Sequence, residues 1–186
     1  MSVDLSQTLT MLARTDPGLV RPHNEDAVFI DPTLGLAVLA DGMGGYNAGE
    51  VAAGMATAWL GMELATAFTR QPPAARRAEG GPHWTHGILT QEIERANGAI
   101  YQAAQSQPQY AGMGTTLVMA LFHNDVVTVA HIGDSRLYLW RDGQLRQLTR
   151  DHSLLQEQLD SGIINADQAR YAQNRNLVTR ALGVDP

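Results

Sequence analysis

The segment GLAVLADGMGGYNAGE, residues 35–50, decides the fold of this chain. Its first half is short, apolar and bounded by turn residues, as a buried β-strand is. That strand ends on Asp41, and three of the following four residues are glycines. A helix is predicted to follow, because Asn47 and Glu50 have the spacing of a capping box. The segment therefore raises the question of why a buried strand ends on a carboxylate followed by almost bare backbone.

Elements on both sides of this segment indicate an α+β protein. Strand composition is found over residues 9–15 and 26–31, before the central strand. Apolar residues at helical spacing predict one helix over residues 48–68 and a second over residues 89–103. Residues 115–149 contain apolar runs separated by turn signals, which predicts consecutive antiparallel strands.

Turn and capping signals divide the second half of the chain. Residues 124–125, 133–134 and 142–143 are Asn-Asp, Gly-Asp and Asp-Gly pairs, which are typical of tight turns, and the last is a strong hairpin signal. Residues 151–162 predict a helix that stops at its final glycine, and residues 165–168, Asn to Gln, predict the cap of one more short helix. This order of elements favours antiparallel sheets covered by helices over a doubly wound parallel sheet.

Composition limits the kind of protein. A chain of 186 residues with 44% hydrophobic and 17% charged residues suits one compact globular domain, residues 1–186. It contains no cysteine, which excludes disulfides and thiolate chemistry and agrees with a cytoplasmic location. We expect no signal peptide and no membrane span, because no apolar run reaches the length that a bilayer requires and the N-terminal segment has an early acid and no long apolar stretch. The net charge of −6 argues against nucleic acid as a generic partner.

Asp41 has three interpretations. An Asp-Gly pair after a strand is commonly only a turn, and alone this interpretation is the simplest. A glycine-rich loop could also cradle a phosphate, but this loop has no lysine, and Asn47 stands where a dinucleotide-binding motif needs its third glycine. A hard cation such as Mg²⁺ or Mn²⁺ fits better, because it binds carboxylate, carbonyl and water oxygens. Gly42 would leave its carbonyl uncovered, and Gly44 and Gly45 would keep the site open.

A metal site needs further oxygen ligands, and two other segments offer them. RPHNED, residues 21–26, lies between predicted strands and contains Glu25 and Asp26, which point to opposite faces if the backbone is extended. Arg21 is suited to bidentate contact with a phosphate, although an ordinary surface salt bridge is the simpler interpretation of a lone arginine. The turn HIGDSR contributes Asp134, which by itself is only a hairpin corner.

The histidines do not indicate a catalytic triad. His83 and His86 have the spacing of a metal pair but lie in a segment rich in glycine and proline, so we expect them to face solvent. His131 is predicted to be packed within a strand, and His152 to lie in a turn or cap. No serine stands with a placed histidine and aspartate, so a covalent mechanism has no support.

Together these segments resemble one family, the metal-dependent protein Ser/Thr phosphatases of type 2C, also called PPM, in its bacterial branch. Five segments carry the resemblance, in the family's order and along nearly the whole chain. They are RTDPGLVRPHNEDAVF, LAVLADGMGG followed by AGEVAA, GMGTTLVMA, VAHIGDSRLYLWRDGQLRQLTRDHS and NLVTRALG.

The resemblance implies a fold and a metal site. The fold is a sandwich of two antiparallel β-sheets between helical layers, with the metal site at one edge of the sheets. Asp41 resembles the ligand that bridges two Mn²⁺ or Mg²⁺ ions, and the Gly42 carbonyl resembles a ligand of one of them. Glu25 resembles the acid that serves the same ion, often through water, and Asp26 the acid beside it. Asp134 resembles a ligand of a third, weaker metal.

The same resemblance implies an activity. Arg21 resembles the arginine that binds the substrate phosphate, and residues 153–176 resemble the mobile flap near the substrate entrance. The implied reaction is hydrolysis of phosphoserine and phosphothreonine by a hydroxide that bridges the two ions, without a phosphoenzyme. Phosphorylated proteins are then the substrates and a Ser/Thr kinase acts in opposition. We expect a monomer.

One departure from the family pattern keeps other functions open. The family's later acidic motifs, an Asp-Gly pair and an Asn-Asp pair, are absent, so we expect a domain that lacks its C-terminal part. A catalytically inactive regulatory or binding module with the same fold is therefore one alternative. A glycine-loop nucleotide hydrolase is another, which tight ATP binding without phosphatase activity would favour.

Overall fold

The computed structural model describes residues 5–45, 48–73, 84–123, 125–172 and 176–186. Its elements follow the predicted order of strands, two long helices and a second group of strands. The strands are β1 (Asp26–Asp31), β2 (Leu36–Met43), β3 (Gly114–Thr115), β4 (Leu117–His123), β5 (Val126–Ile132), β6 (Tyr138–Arg141) and β7 (Gln144–Gln147). The α-helices are α1 (Ala48–Arg70), α2 (Trp84–Ser106), α3 (Leu154–Asp160) and α4 (Ala166–Ala169).

An antiparallel sheet forms the framework of the fold. Its strand order is β1-β2-β4-β5, and the two-residue strand β3 pairs with the end of β2. The buried strand predicted at residues 35–41 is β2, which has a hydrogen-bonded neighbour on each side. Its alternate residues Leu36, Val38 and Ala40 are buried, which is the pattern of a strand with one face against a core.

The hairpin of β6 and β7 forms a second, two-stranded sheet. Its turn is the predicted Asp142-Gly143 pair, with φ of 52° at the aspartate and 75° at the glycine. Positive φ at both central residues is the geometry of a type I′ turn, which matches the twist of the flanking strands. The hairpin prediction is therefore confirmed.

Helix α1 packs on the sheet and forms the centre of the core. Ala52, Ala53 and Ala56 are fully buried, and these small side chains let the helix lie close to the strands. Gly61 faces Phe29 of β1 so closely that a Cβ at this position would lie 2.9 Å from ring atoms. Helix α2 packs against α1, so the two helices form one layer on one face of the sheet.

The expectation that no segment is long and apolar enough to cross a membrane is wrong for α1. This helix meets the criterion by length and composition, with a mean hydropathy of 1.3 in its apolar window, and it alone does so among the described residues. Of that window, 44% is buried inside the domain. The buried residues of this helix belong to the core that it forms with the sheet.

The opposite face of the sheet differs from prediction. Residues 9–15 form no strand despite their composition, because no strand in the described part of the chain pairs with them. Leu12 and Arg14 instead line an apolar cavity of about 240 Å³ over this face, together with Arg136 and Leu137. The α+β fold with antiparallel sheets is confirmed, and both of its long helices lie on the other face.

Predictions for the helix ends are mostly confirmed. Helix α3 ends before Gly162, whose φ is 71°, and α4 begins with the predicted capping box between Asn165 and Gln168. Helix α2 begins at Trp84, earlier than its apolar spacing suggested, so His86 is exposed on a helix and not in a loop. The predictions for His83, for the Asn47 cap and for Asn124 in its turn concern positions outside the described residues.

Candidate metal centre

Asp26 and Asp41 form the centre of an acidic cluster. The antiparallel register sets them directly opposite each other at the ends of β1 and β2. Directly opposite residues point to the same face of a sheet, and Ala40, the neighbour of Asp41, points into the helix-side core. The two carboxyl groups therefore lie on the face opposite α1, close enough for a protonated Asp41 to donate a hydrogen bond to Asp26.

Partial burial and acidic neighbours raise the pKa of Asp41 from 3.8 to about 6. Asp41 as a residue is exposed, but partial burial of its carboxyl group is the largest cause of the rise. The charge of Asp26 and the hydrogen bond to it follow, and the charge of Asp134 adds to them. Arg21 acts in the opposite direction. The site thus holds more negative charge than its protein surroundings neutralise.

Asp134 reaches this cluster from a distant part of the sequence. It follows β5 in a turn whose Gly133 has a φ of 98°, a conformation that favours glycine. The turn packs on Thr116, which lies just before β4 and next to the end of β2. The structure therefore brings the predicted acidic turn to the same sheet edge as Asp41.

Glu25 and Arg21 lie beside the same edge. The Gly42 N–H donates to the backbone carbonyl of Glu25 at 3.1 Å, which ties the two predicted ligand positions together. The side chain of Glu25 is 20% exposed and pairs with Arg21, with 3.5 Å between Nη1 and Oε2. The Arg21 side chain is 67% exposed, so this ion pair is weak and the guanidinium is accessible.

A different structural feature explains the glycine at each of the positions 42, 44 and 45. A Cβ at Gly42 would collide with the carbonyl of Gly49 and would lie 2.7 Å from the carbonyl oxygen of Glu25. Gly42 is thus required by the close contact between β2 and the start of α1. Gly44 has a φ of 151°, which L side chains rarely adopt, whereas a Cβ at Gly45 would meet no atom within 4 Å. Of these three glycines only Gly45 borders open space. From the sequence we expect Gly44 and Gly45 together to keep the site open.

These residues match a hard divalent cation in chemistry and supply part of its ligand set. Within the described ranges no three acidic or histidine side chains form a ready metal-binding group. The donors that do meet are carboxylate oxygens, which are the kind that Mg²⁺ and Mn²⁺ bind. Burial of the carboxyl group and repulsion from Asp26 and Asp134 raise the pKa of Asp41, and a bound cation would offset both.

Two contacts near the cluster were missed by sequence reasoning. The hydroxyl groups of Thr116 and Ser135 lie 2.7 Å apart, and the rings of His131 and His152 stack with centroids 4.7 Å apart. His152 was assigned to a turn or cap, but its Nδ1 accepts from the Gly133 N–H at 3.2 Å. Each contact joins residues from separate elements, so no local spacing in the sequence reveals it.

Comparison with known proteins identifies the family. The family model for protein phosphatase 2C matches residues 21–172 of this chain, a range that contains every predicted site residue. The Ser/Thr phosphatase stp of Listeria welshimeri is 41% identical to it over 175 residues, which cover 92% of this chain and 66% of that protein.

Solved structures agree with this assignment. The Ser/Thr phosphatase Stp1 from Staphylococcus aureus superposes with a TM-score of 0.78 at 36% identity, over 95% of this chain and 68% of that one. The catalytic domain of the Ser/Thr phosphatase PstP, solved with two manganese ions, gives a TM-score of 0.73 at 37% identity, over 93% of this chain and 66% of that one.

These matches extend along most of the chain, and the chain spans about two thirds of the length of its Listeria relative. The solved relatives share its fold and are 36% and 37% identical to it in sequence. The chain therefore belongs to the protein phosphatase 2C (PPM) family, in its bacterial branch.

Proposed function

We propose that this chain carries out the metal-dependent hydrolysis of phosphoserine and phosphothreonine in proteins. The observation that carries the proposal is the pair Asp26 and Asp41, two carboxyl groups that face each other at the sheet edge of a chain of the 2C family. Their uncompensated negative charge fits a cation, and the exposed Arg21 beside them fits a phosphate.

We further propose that the site binds two Mn²⁺ or Mg²⁺ ions, with a third at Asp134. Asp41 would bridge the pair, and the Gly42 carbonyl and Glu25 would serve one of the two. Asp26, which lies directly opposite Asp41, would stand beside the carboxylate of Asp41 and add to the negative charge that attracts the ions. The oxygen character of these donors supports the proposal, as does the presence of two manganese ions in the related PstP structure.

The residues of the chain contribute charge and orientation to this reaction. When bound, divalent ions at such a site stabilise negative charge on phosphoryl oxygens and lower the pKa of nearby water. Arg21 can leave its weak ion pair with Glu25 and donate two parallel hydrogen bonds to a phosphate. Gly45 leaves the approach free for a phosphorylated chain, since nothing lies within 4 Å of its Cβ position.

The domain and its flap belong to the same proposal. Residues 1–186 would form a single phosphatase domain, with residues 153–176 as a flap near the substrate entrance. The base of this segment is anchored, because Ser153 pairs with Val178 in an isolated bridge and the Thr179 N–H donates to the carbonyl of His152. The contact of His152 with the Gly133 turn puts that base next to Asp134, which supports a role close to the site.

The proposed activity implies the setting in which the protein acts. Its substrates would be phosphoproteins made by a Ser/Thr kinase, and the phosphatase names of the bacterial relatives support this chemistry. A cytoplasmic location and a monomeric state are proposed with it. Fractionation of cells and sedimentation of the purified chain would test these two points separately from the activity.

Hydrolysis of a phosphothreonine peptide with and without added Mn²⁺ tests the proposed function. We expect phosphate release that depends on Mn²⁺ and is lost in Asp41→Asn, whose side chain has the same size but no charge. A matched control is Asp142→Asn in the exposed β6–β7 turn, which should keep full activity. Activity that survives in Asp41→Asn, or that needs no metal, would contradict the proposal.

A specific observation favours an inactive binding module as the second candidate. Among the described residues no three acidic or histidine side chains form a complete metal-binding group. In that case the chain would bind Mn²⁺ weakly and release no phosphate, while still binding a phosphopeptide through Arg21. Phosphopeptide binding that is lost in Arg21→Ala, without turnover at any Mn²⁺ concentration, would favour this second candidate.

A further inference from the structure

Thr116 lies at the junction between the two acidic turns of the site. It is 2% exposed, and its backbone N–H donates to the carbonyl oxygen of Asp41 at 2.9 Å. The Asp41 N–H in turn donates to Oγ1 of Thr116 at 3.0 Å. Thr116 therefore holds the end of β2 through both its backbone and its side chain.

The same hydroxyl group contacts the turn that carries Asp134. Oγ1 of Thr116 and Oγ of Ser135 lie 2.7 Å apart and share a hydrogen bond. The turn is pressed against Thr116, since a Cβ at Gly133 would lie 2.7 Å from the Thr116 methyl carbon. A single buried side chain thus joins the backbone of Asp41 to the residue that follows Asp134.

The turn is fixed from its other side as well. The Gly133 N–H donates to Nδ1 of His152 at 3.2 Å, and the His152 N–H donates to the Gly133 carbonyl at 3.0 Å. With His152 on one side and Thr116 on the other, the turn has little freedom to move relative to β2. The separation of Asp134 from Asp41 is then set by the contact between Thr116 and Ser135.

A buried threonine can satisfy its hydroxyl group with a nearby backbone carbonyl. Thr57 is an example in this chain, because its Oγ1 donates to the carbonyl of Ala53 one turn earlier in α1. The partners of Thr116 lie instead on two other segments, each of which carries an aspartate of the site. We infer that Thr116 and Ser135 are positioning residues, whose paired hydroxyl groups fix the turn of Asp134 against the end of β2.

Amide hydrogen exchange of the metal-free chain tests this inference. Ser135→Ala should speed exchange of the Asp41 amide roughly tenfold, the change expected for the loss of about one net hydrogen bond, although Ser135 does not contact that amide. Thr116→Val should speed it at least as much, and Thr116→Ser, which keeps the hydroxyl group, should restore protection. Thr57→Val is the control for loss of a buried hydroxyl group and should leave the Asp41 amide unchanged.

An unchanged Asp41 amide in Ser135→Ala would overturn the inference. Because Ser135 is only partly buried, this variant remains informative if Thr116→Val fails to fold. The double variant should show no faster exchange than Thr116→Val alone, since the two hydroxyl groups act as one pair. Additive acceleration would mean independent structural roles and would equally overturn the inference.

The consequence for metal binding rests on the proposed function and is measured separately. In a titration with Mn²⁺ followed by electron paramagnetic resonance, Ser135→Ala should weaken binding severalfold while Thr57→Val leaves it unchanged. If the unsubstituted chain binds no Mn²⁺, the proposed function fails. The exchange experiment still decides whether the two hydroxyl groups couple the turns, so the two failures are distinguishable.

Discussion

Partial burial of its carboxyl group disfavours the ionised form of Asp41 in the metal-free fold, and Asp26, which it faces across two strands, and the nearby Asp134 add to this effect. A residue chosen for stability alone would not carry a charge at this position, because Asn would keep the shape and remove the repulsion. The carboxylate is better explained by a ligand that neutralises it. Stability given up at one residue in exchange for function is a common feature of binding sites.

The first prediction follows from the raised pKa of Asp41. A group whose pKa is raised on folding contributes its stability below its unfolded pKa of 3.8, and this stability is lost as the pH rises through about 6. Asp41→Asn should therefore stabilise the metal-free chain at pH 7.5 by about 1–2 kcal/mol, a value reduced for solvent screening, and should have little effect at pH 3.5. Urea unfolding at both pH values measures this difference.

The control for this prediction is Asp142→Asn, which removes a carboxylate from the exposed hairpin turn. It should show no such gain at pH 7.5. A loss of stability in Asp41→Asn at pH 7.5 would mean that the acidic cluster stabilises the fold, contrary to this account.

The second prediction concerns Gly42. Gly42→Ala should destabilise the chain by about 3 kcal/mol, because its Cβ would collide with the Gly49 carbonyl where α1 meets β2. Gly54→Ala on α1 is the control, since a Cβ there meets nothing within 4 Å and alanine favours the helix by about 1 kcal/mol. Thermal unfolding of both variants tests the prediction, and equal melting temperatures would contradict it.

At the scale of elements, the sequence was informative wherever a local pattern determines the structure. Apolar alternation in β2, helical spacing in α1 and the Asp-Gly turn between β6 and β7 each predicted an element that the structure contains. Residues 9–15 have the composition of a strand but no partner strand among the described residues, and strand formation depends on pairing that composition does not supply.

The third prediction tests whether α1 is held by its packing on the sheet. Leu60→Ala should destabilise the chain by about 2–5 kcal/mol, because Leu60 is completely buried in the core cluster. Met62 lies on the same helix but is 69% exposed, so Met62→Ala should change the free energy of unfolding by less than about 0.5 kcal/mol. Urea unfolding compares the two, and similar costs would argue against α1 as the core helix.

The fourth prediction concerns the base of the proposed flap. Burial, His131 and Arg180 lower the pKa of His152, and they outweigh Asp151 and Glu157, which raise it. A group whose pKa is lowered on folding contributes stability above its unfolded pKa of 6.5, and this stability is lost as the pH falls through the folded value. The Thr179 amide, which donates to the His152 carbonyl, should therefore exchange faster at pH 5 than at pH 7 after correction for intrinsic rates.

His152→Asn provides the comparison for this fourth prediction. Its amide oxygen can still accept from the Gly133 N–H, but the side chain does not titrate. The extra exchange at pH 5 should disappear in this variant. Acid-induced exchange that persists unchanged would show that another group controls the segment.

At the scale of the whole molecule, the candidate site is assembled from three separate parts of the chain. Residues 21–26 lead into the start of β1, Asp41 lies near the end of β2 and Asp134 follows β5, and the antiparallel sheet brings these positions to one edge. Residue types and the family resemblance identified the individual acids. Two contacts could not be predicted, because both depend on how separate segments of the chain pair. They are the pairing of Asp26 with Asp41 across β1 and β2 and the hydroxyl contact of Thr116 with Ser135.

The location of bound Mn²⁺ tests the central claim most directly. Crystals of the chain grown or soaked with Mn²⁺ would be measured at a wavelength at which manganese scatters anomalously. We expect an anomalous peak about 2.0–2.3 Å from a carboxylate oxygen of Asp41, a distance typical of a small divalent cation bound to oxygen, and its loss in Asp41→Asn. A peak bound elsewhere on the molecule, or the same peak in Asp41→Asn, would contradict the account.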